Sequence, residues 1–333
     1  MSSGAAHSGA EGGKTIPQTG TAEALAEPAH QTTLYVILNA KAGTALAQGL
    51  TPDRLRESFE RREYAVVVDA SDEALESRID RALTSNAGII VSAGGDGTAT
   101  LIASRLVGTD KALAVLPLGT ANLLARDLGI PMDVDAAIAA LETMEVRRID
   151  VAEINGRVFL HKVVVGTFPD MAVMREKVRG QATLRSAIGF ARYFVRRLGH
   201  GRRMAVAVAS HGRAERIERV HAIAIANNAY DEGWAKVFHR SRLDAGCLTL
   251  YALKTPGTLD IVRLLVKMIA GRWREDQAVS IETVHSVTLR AKRSTLRVMI
   301  DGEVELLETP FAFTIRPAAL NVLAPAMSKA DTN

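Results

Sequence analysis

Short apolar runs alternate with longer amphipathic stretches over the first half of the chain. Leu34–Leu38, Ala65–Asp69, Gly88–Ser92 and Ala112–Leu116 are strand-like. Between them, apolar positions recur at helical spacing near Arg54–Arg62, Asp72–Thr84, Thr98–Leu106 and Val134–Met144. A shorter helix runs through Leu123–Asp127 towards Gly129 and Pro131, both helix stoppers. This alternation predicts a parallel sheet with helices on both faces.

The pattern changes near Arg148. Val151–Ile154 and Val158–Val165 flank Asn155-Gly156, a hairpin turn pair. Arg203–Ala209, Arg216–Ala226, Leu248–Ala252, Ala278–Ala291 and Thr295–Ile300 are mostly β-rich, and two helical stretches, Met171–Leu198 and Thr258–Trp273, interrupt them. The expectation is an α/β domain over 32–148 and a β-sandwich-like domain over 149–304. Residues 1–31, rich in Gly, Ala, Ser and Thr, read as a disordered tail.

Three predicted strands end in polar, glycine-bearing loops: Asn39-Ala40-Lys41-Ala42-Gly43, Gly94-Gly95-Asp96-Gly97-Thr98 and Pro117-Leu118-Gly119-Thr120-Ala121-Asn122. In an open parallel sheet such loops gather at the carboxyl edge, where ligands bind. Glycines let backbone N–H groups approach a ligand, and unpaired amides at a helix start attract phosphate. Asp96 would repel phosphate unless a divalent cation stood between them, which points to a Mg-nucleotide. The competing reading is a strand-to-helix turn whose Asp caps the helix. No GxxxxGK[ST] sequence is present.

GGDGT followed by PLGTAN resembles the catalytic domain shared by diacylglycerol kinases, sphingosine and ceramide kinases and bacterial soluble lipid kinases. Asn39–Gly43 is similar to that family's first loop, usually Asn-Pro-x-Ser-Gly, and Asp301-Gly302-Glu303 matches its Asp-Gly-Glu motif. The resemblance spans about Thr33 to Leu323. It implies an NAD kinase/diacylglycerol kinase-like fold in which 149–304 takes the lipid and residues 305–325 return to the first domain. It also implies an ATP-dependent lipid kinase using Mg²⁺. Gly94, Gly95, Gly97, Thr98, Gly119, Thr120 and Asn122 are the phosphate candidates, with Asn39, Lys41 and Gly43 as nucleotide contacts and Asp96 as the metal residue. Asp301 and Glu303 are the acceptor-side carboxylates. After a β-branched run they are expected on one face of a strand; the alternative is a hairpin turn. In the family the Asp of this motif is the proposed base, and Asp96 is the alternative base.

The chain departs from the family pattern at Ala40 and Ala42, at Ala99-Thr100-Leu101 after GGDGT, and at Leu123 after PLGTAN. Ala245 stands where bacterial relatives place an Asp for a structural Mg²⁺, so that metal is not expected, with Asp244 one position away. His161, His221, His239 and His285 read as ordinary core or surface residues.

Two further functions remain open. One is an NAD kinase, which shares GGDGT but carries an Asn-Glu pair that Ile225-Ala226-Asn227-Asn228-Ala229 lacks. The other is a non-catalytic nucleotide- or lipid-binding regulator.

The 333 residues, 47% hydrophobic, suffice for a large core, and a single cysteine excludes an internal disulfide. The formal charge of +4 favours anionic partners, while 5% aromatic content argues against nucleic acid. Arg175–Arg203 is strongly basic with an apolar helical stripe, which suits a peripheral membrane surface or a helix packed on its own domain. Leu259–Trp273 is expected to be core or lid. With no signal peptide or spanning segment evident, a cytoplasmic protein is expected, peripheral on the cytoplasmic membrane face, and a homodimer is allowed.

Overall fold

Strands β1 (Thr33–Leu38), β2 (Ala65–Asp69), β3 (Ile89–Gly94) and β4 (Ala112–Pro117) form a parallel sheet in the order β2-β1-β3-β4. The computed structural model describes residues 33–39, 50–166, 203–210, 213–233, 239–254 and 257–326. Val36, Ile37, Val91 and Leu113 are completely buried, as central parallel strands require. The strand order reverses at β1, which pairs β2 on one edge and β3 on the other, so the carboxyl ends of β1 and β3 flank a switch point.

Helices α1 (Pro52–Glu60), α2 (Leu75–Thr84), α3 (Asp96–Leu106), α4 (Leu123–Asp127) and α5 (Val134–Ala140) connect these strands and the next. Thr51 caps α1 by accepting from Arg54 N at 3.2 Å, and Asp133 caps α5 by accepting from Ala136 N at 2.9 Å. Leu55, Phe59, Ile79 and Ile102 anchor the helices in the core, each contributing about 1.5–3 kcal/mol through burial. The helix expected over Val134–Met144 stops at Ala140. A 3₁₀ turn follows, and Met144 already pairs with Pro325, so strand pairing takes the end of the predicted helix.

The sheet continues into antiparallel strands. β5 (Met144–Ile154) carries β6 (Arg157–Phe159) and lies along β16 (Phe311–Pro325), which also pairs in parallel with β4. The first half of β16 pairs β13 (Ser286–Ala291), followed by β8 (Met204–Ser210) and β9 (Arg216–Val220). A second, six-stranded sheet runs β12 (Val279–Val284), β11 (Leu248–Leu253), β10 (Ala222–Asn227), β7 (Lys162–Gly166), β14 (Thr295–Ile300) and β15 (Glu303–Glu308). Side chains of both sheets, among them Phe159, Val208, Phe313, Val163, Ile225 and Val298, form one sandwich core.

Two expected strands are each two. Arg216–Ala226 breaks at His221 and Ala278–Ala291 at His285, and the halves join different sheets. The side chains that enter the sandwich core step by three rather than two across each break, from Val220 to Ile223 and from Val284 to Val287. That slip turns the apolar side chains inward again once the chain has crossed layers. The helix expected over Thr258–Trp273 is α6 (Thr258–Ile269), and only one of its faces is core.

Candidate active site

Gly94 ends β3, Gly95 is the N-cap of α3, and Asp96 opens the helix two residues before the expected start. The first amides of a helix have no carbonyl one turn back to bond, so those of Asp96, Gly97 and Thr98 form an anion-attracting end. Asn39, just beyond β1, donates through its backbone N to Ala93 O at 2.9 Å and through Nδ2 to the buried Thr98 Oγ1 at 3.3 Å. The first loop and the glycine loop are thereby joined.

The loop after β4 locks onto the same place. Asn122 is left-handed (φ 48°), and its Oδ1 accepts from Gly119 N at 2.8 Å while its Nδ2 donates to Gly119 O at 2.9 Å. Leu123 N donates to Asp96 Oδ1 at 2.6 Å, so the carboxylate of the glycine loop holds the start of α4. A Cβ on Gly119 would lie 2.7 Å from Gly95 Cα, so the two loops meet backbone to backbone.

Facing them is the β14–β15 hairpin. Asp301 and Gly302 form its two-residue turn, with φ 47° and 102°, and Ile300 pairs Glu303. The pair of carboxylates is therefore not spaced along one strand as expected: Asp301 is in the turn and Glu303 opens β15. Both still reach one cleft, because the turn lies against α3. Asp301 Oδ1 accepts from His161 N (2.9 Å) and Lys162 N (2.8 Å), and Oδ2 accepts from Leu160 N (2.7 Å) and the Thr100 hydroxyl (3.4 Å). Burial pushes this carboxyl above its ordinary range, and the three amide donors and the Arg240 charge oppose that. All four lone-pair directions of Asp301 are in use. Glu303 is exposed, and its Oε1 is 2.9 Å from where a Cβ on Gly97 would stand.

The cleft between these elements has a volume of about 630 Å³. Gly97, Thr100, Leu101 and Ser104 line it at i, i+3, i+4 and i+7, one face of α3 extending about 10 Å beyond the glycine loop. Leu75, Val158 and Ile300 add apolar wall, and Arg157, ion-paired with Glu305, adds a cation. The Glu305 hydrogen bond pushes the Arg157 guanidinium further up, so it stays charged.

Behind the turn lies a buried polar link. Arg240, 1% exposed, donates from Nε to Asp127 Oδ2 (3.0 Å) and from Nη1 to Leu160 O (2.8 Å) and Asn227 O (2.6 Å). Asp127 ends α4, and Leu160 holds Asp301, so one guanidinium connects the helix after the β4 loop to the β14–β15 turn. His161, a core residue as expected, contacts the Tyr230 hydroxyl through Nδ1 at 3.1 Å. The Lys162 ammonium stands 5.6 Å from the Tyr230 ring centroid, and burial pulls it down to about 8.

Of the residues singled out from sequence, Asn39, Gly95, Gly97, Thr98, Gly119, Thr120, Asp301 and Glu303 line the cleft. Gly94, Asp96 and Asn122 shape its loops. Lys41 and Gly43 lie outside the described residues, as do residues 1–31 and all but the last residue of the basic segment Arg175–Arg203. Asp244 is paired with Arg242 at 3.4 Å, and the adjoining Gly246 N donates to Asp150 Oδ2 at 2.6 Å. Thr100, Arg157, Lys162 and Arg240 were not anticipated. Arg157, just past the Asn155-Gly156 turn, is the one whose position the pattern could have given.

Residues 33–154 match the family described as diacylglycerol kinase catalytic domain, and residues 163–324 match the YegS C-terminal NAD kinase beta sandwich-like domain. A Pseudomonas aeruginosa protein named "Probable lipid kinase YegS-like" is 32% identical over 277 residues, covering 80% of this chain and 86% of that protein. A Staphylococcus saprophyticus protein named "Diacylglycerol kinase" is 22% identical over 279 residues, covering 80% and 88%. The crystal structure of a diacylglycerol kinase from Bacillus anthracis has a TM-score of 0.62 at 16% identity, covering 91% of this chain and 98% of that one. That likeness shows the fold, a parallel α/β sheet joined to a β-rich sandwich.

Proposed function

Starting from the fact that this chain belongs to the lipid kinase family defined by the diacylglycerol kinase catalytic domain, we propose that it transfers the γ-phosphoryl group of ATP to a lipid hydroxyl. The acceptor is a diacylglycerol-like, glycerolipid or sphingoid alcohol. The observation that carries this reading is the meeting of a helix-end glycine cradle and an exposed carboxylate, Glu303, in one cleft with an apolar extension.

The amides of Gly95 to Thr98 bind phosphate oxygens, and Gly119 and Thr120 close the other side. Leu75, Leu101, Val158 and Ile300 hold the apolar part of the acceptor along α3. The acceptor oxygen attacks the γ-phosphorus as the bond to the bridging oxygen of ADP breaks, and the hydroxyl proton passes to Glu303. Glu303 suits this role better than Asp301, whose lone pairs are committed to Leu160, His161, Lys162 and Thr100. Asp301 fixes the turn that presents Glu303.

One carboxylate at this site, Asp96, fits Mg²⁺. It commonly takes one or two carboxylates with waters and phosphate oxygens. Asp96 has its Oδ1 bonded to Leu123 N, which leaves its second oxygen for the ion. When bound, the ion neutralises nucleotide phosphate charge.

The NAD kinase reading is disfavoured by Asn227 and Asn228. Both are buried, and Asn227 Nδ2 donates to Asp150 O (3.0 Å) and Leu160 O (3.1 Å), so neither side chain faces a dinucleotide.

The test is transfer of label from γ-labelled Mg-ATP to a total lipid extract in mixed micelles, with NAD as a parallel acceptor. Label in a lipid band is expected. Label only in the NAD reaction contradicts the proposal, and bound nucleotide without any transfer favours a regulator.

A further inference from the structure

Helix α6 carries apolar side chains on two faces. Ile261, Leu264 and Met268 pack on the body of the protein, the latter two against the cluster of Tyr230, Tyr251 and Trp273. On the other side Leu259 (84% exposed), Val262 (45%), Leu265 (39%), Val266 (60%) and Ile269 (54%) are open to solvent. Their spacing places them on one arc of about 120°. Five of the ten large hydrophobic residues exposed among the described residues thus belong to this one helix.

Two ion pairs tie the helix to the body beneath it. Asp276, buried beneath it, pairs with Arg263 at 2.9 Å and Lys267 at 3.0 Å. Both cations are partly exposed and border the apolar arc, and Arg272 and Arg274 are exposed just past the helix. Over 258–276 four basic side chains stand against Asp260, Glu275 and the buried Asp276, and Arg263 also pairs with Asp260 at 3.0 Å, so the surface around the arc is slightly net basic. The arc itself is purely aliphatic. It offers neither the aromatic anchors nor the hydrogen-bonding groups that mark protein interfaces.

We propose that this face of α6 is the docking surface for an anionic lipid bilayer. The inference rests on the lipid-acceptor reading: an acyl-chain acceptor stays in its bilayer, and the enzyme comes to it. Twelve residues span about 18 Å, and no helix among the described residues is long and apolar enough to cross a membrane, so α6 lies in the interface plane. The aliphatic arc enters the acyl boundary, and Arg263, Lys267, Arg272 and Arg274 meet the anionic headgroups. This surface is separate in sequence from the basic segment Arg175–Arg203.

The test uses the full chain and vesicles of phosphatidylcholine with and without phosphatidylglycerol. Sedimentation should show binding that grows with phosphatidylglycerol content. Leu259→Glu with Val266→Glu, both at exposed positions, should lower vesicle partitioning by about 10-fold or more. The same variant should phosphorylate a water-soluble short-chain acceptor as the wild type does. Unchanged partitioning in the variant overturns the proposal. So does binding lost only on substituting Arg192, Arg196 and Arg197, or an arc buried in a dimer, seen as a wild-type dimer that the variant abolishes without vesicle binding in either. Lipid phosphorylation without α6-dependent binding defeats the docking surface and spares the kinase reading. α6-dependent binding without phosphorylation of any lipid does the reverse.

Discussion

Glu303 reaches over Gly97 across the cleft: a Cβ on Gly97 would lie 2.9 Å from Glu303 Oε1. Only the end of a flexible side chain stands in the way. Gly97→Ala therefore leaves the fold intact, since alanine favours a helix, but swings the carboxylate away from the acceptor position. Turnover should fall about 100-fold with nucleotide affinity unchanged within about twofold, as expected when one reacting group is displaced by an ångström. Steady-state kinetics with a parallel nucleotide titration checks this, and a loss confined to nucleotide affinity would speak against it.

Gly119→Ala should behave in the opposite way. The added carbon meets Gly95 Cα at 2.7 Å and Asn122 Oδ1 at 2.8 Å, so backbone must move and the cradle opens. Nucleotide affinity should drop about 10-fold or more, the effect of losing one or more charge-assisted hydrogen bonds. Gly88→Ala, with nothing within 4 Å, is the control and should bind nucleotide as the wild type does. Equal affinities in all three proteins, measured by calorimetry, would remove the cradle from the account.

Asp301→Asn separates fixing the turn from taking the proton. Asn tolerates the left-handed conformation, but its amide nitrogen would face backbone N–H groups now bonded to the carboxylate. Stability should fall by about 1–3 kcal/mol in chemical denaturation. Glu303→Gln, at an exposed position, should leave stability unchanged. If Asp301→Asn is as stable as the wild type, the carboxylate does not hold the turn.

The loops after β3 and β4 were legible in the sequence because glycine and helix-start chemistry is local: Gly94–Thr98 and Gly119–Asn122 need only their neighbours to be recognised. Asp301 was half legible. The β-branched run Leu296–Ile300 marked a strand, but only the pairing of Ile300 with Glu303 shows that Asp301 turns rather than continues it. The crossings at His221 and His285 are written in the three-residue slips from Val220 to Ile223 and Val284 to Val287, which a search for continuous β-rich runs passes over. Arg240 was illegible: its partner Asp127 is 113 positions away, and only the fold brings them together.

That buried pair gives a stability prediction. Arg240→Met leaves the Asp127 carboxylate without its guanidinium and should destabilise the protein by about 3–5 kcal/mol. Adding Asp127→Leu should recover much of the loss, because apolar partners replace a buried ion pair with little penalty. Urea denaturation of the single and double variants decides it; additive losses would contradict the linkage.

Lys162 gives a pH prediction. Burial, helped by the Arg240 charge and opposed by Asp301 and Asp127, lowers its ammonium to about 8 from about 10.4 in an unfolded chain. Between these values the unfolded chain binds more protons, so this group makes stability rise from pH 8 towards pH 10. Above pH 10 the upward-shifted Tyr230 acts in the opposite direction. Lys162→Met should flatten the rise in a denaturation series across that window. The same slope in both proteins would show that Lys162 titrates normally.

On the proposed function, the glycine cradle and Glu303 serve one phosphoryl transfer. Single-turnover transfer of labelled γ-phosphate from Mg-ATP to lipid, by the wild type and Glu303→Gln with nucleotide affinity measured on the same samples, tests it most directly. Label in lipid is expected with the wild type, with a loss of about 100-fold or more for Glu303→Gln at equal nucleotide affinity. Transfer at the wild-type rate by Glu303→Gln would contradict it.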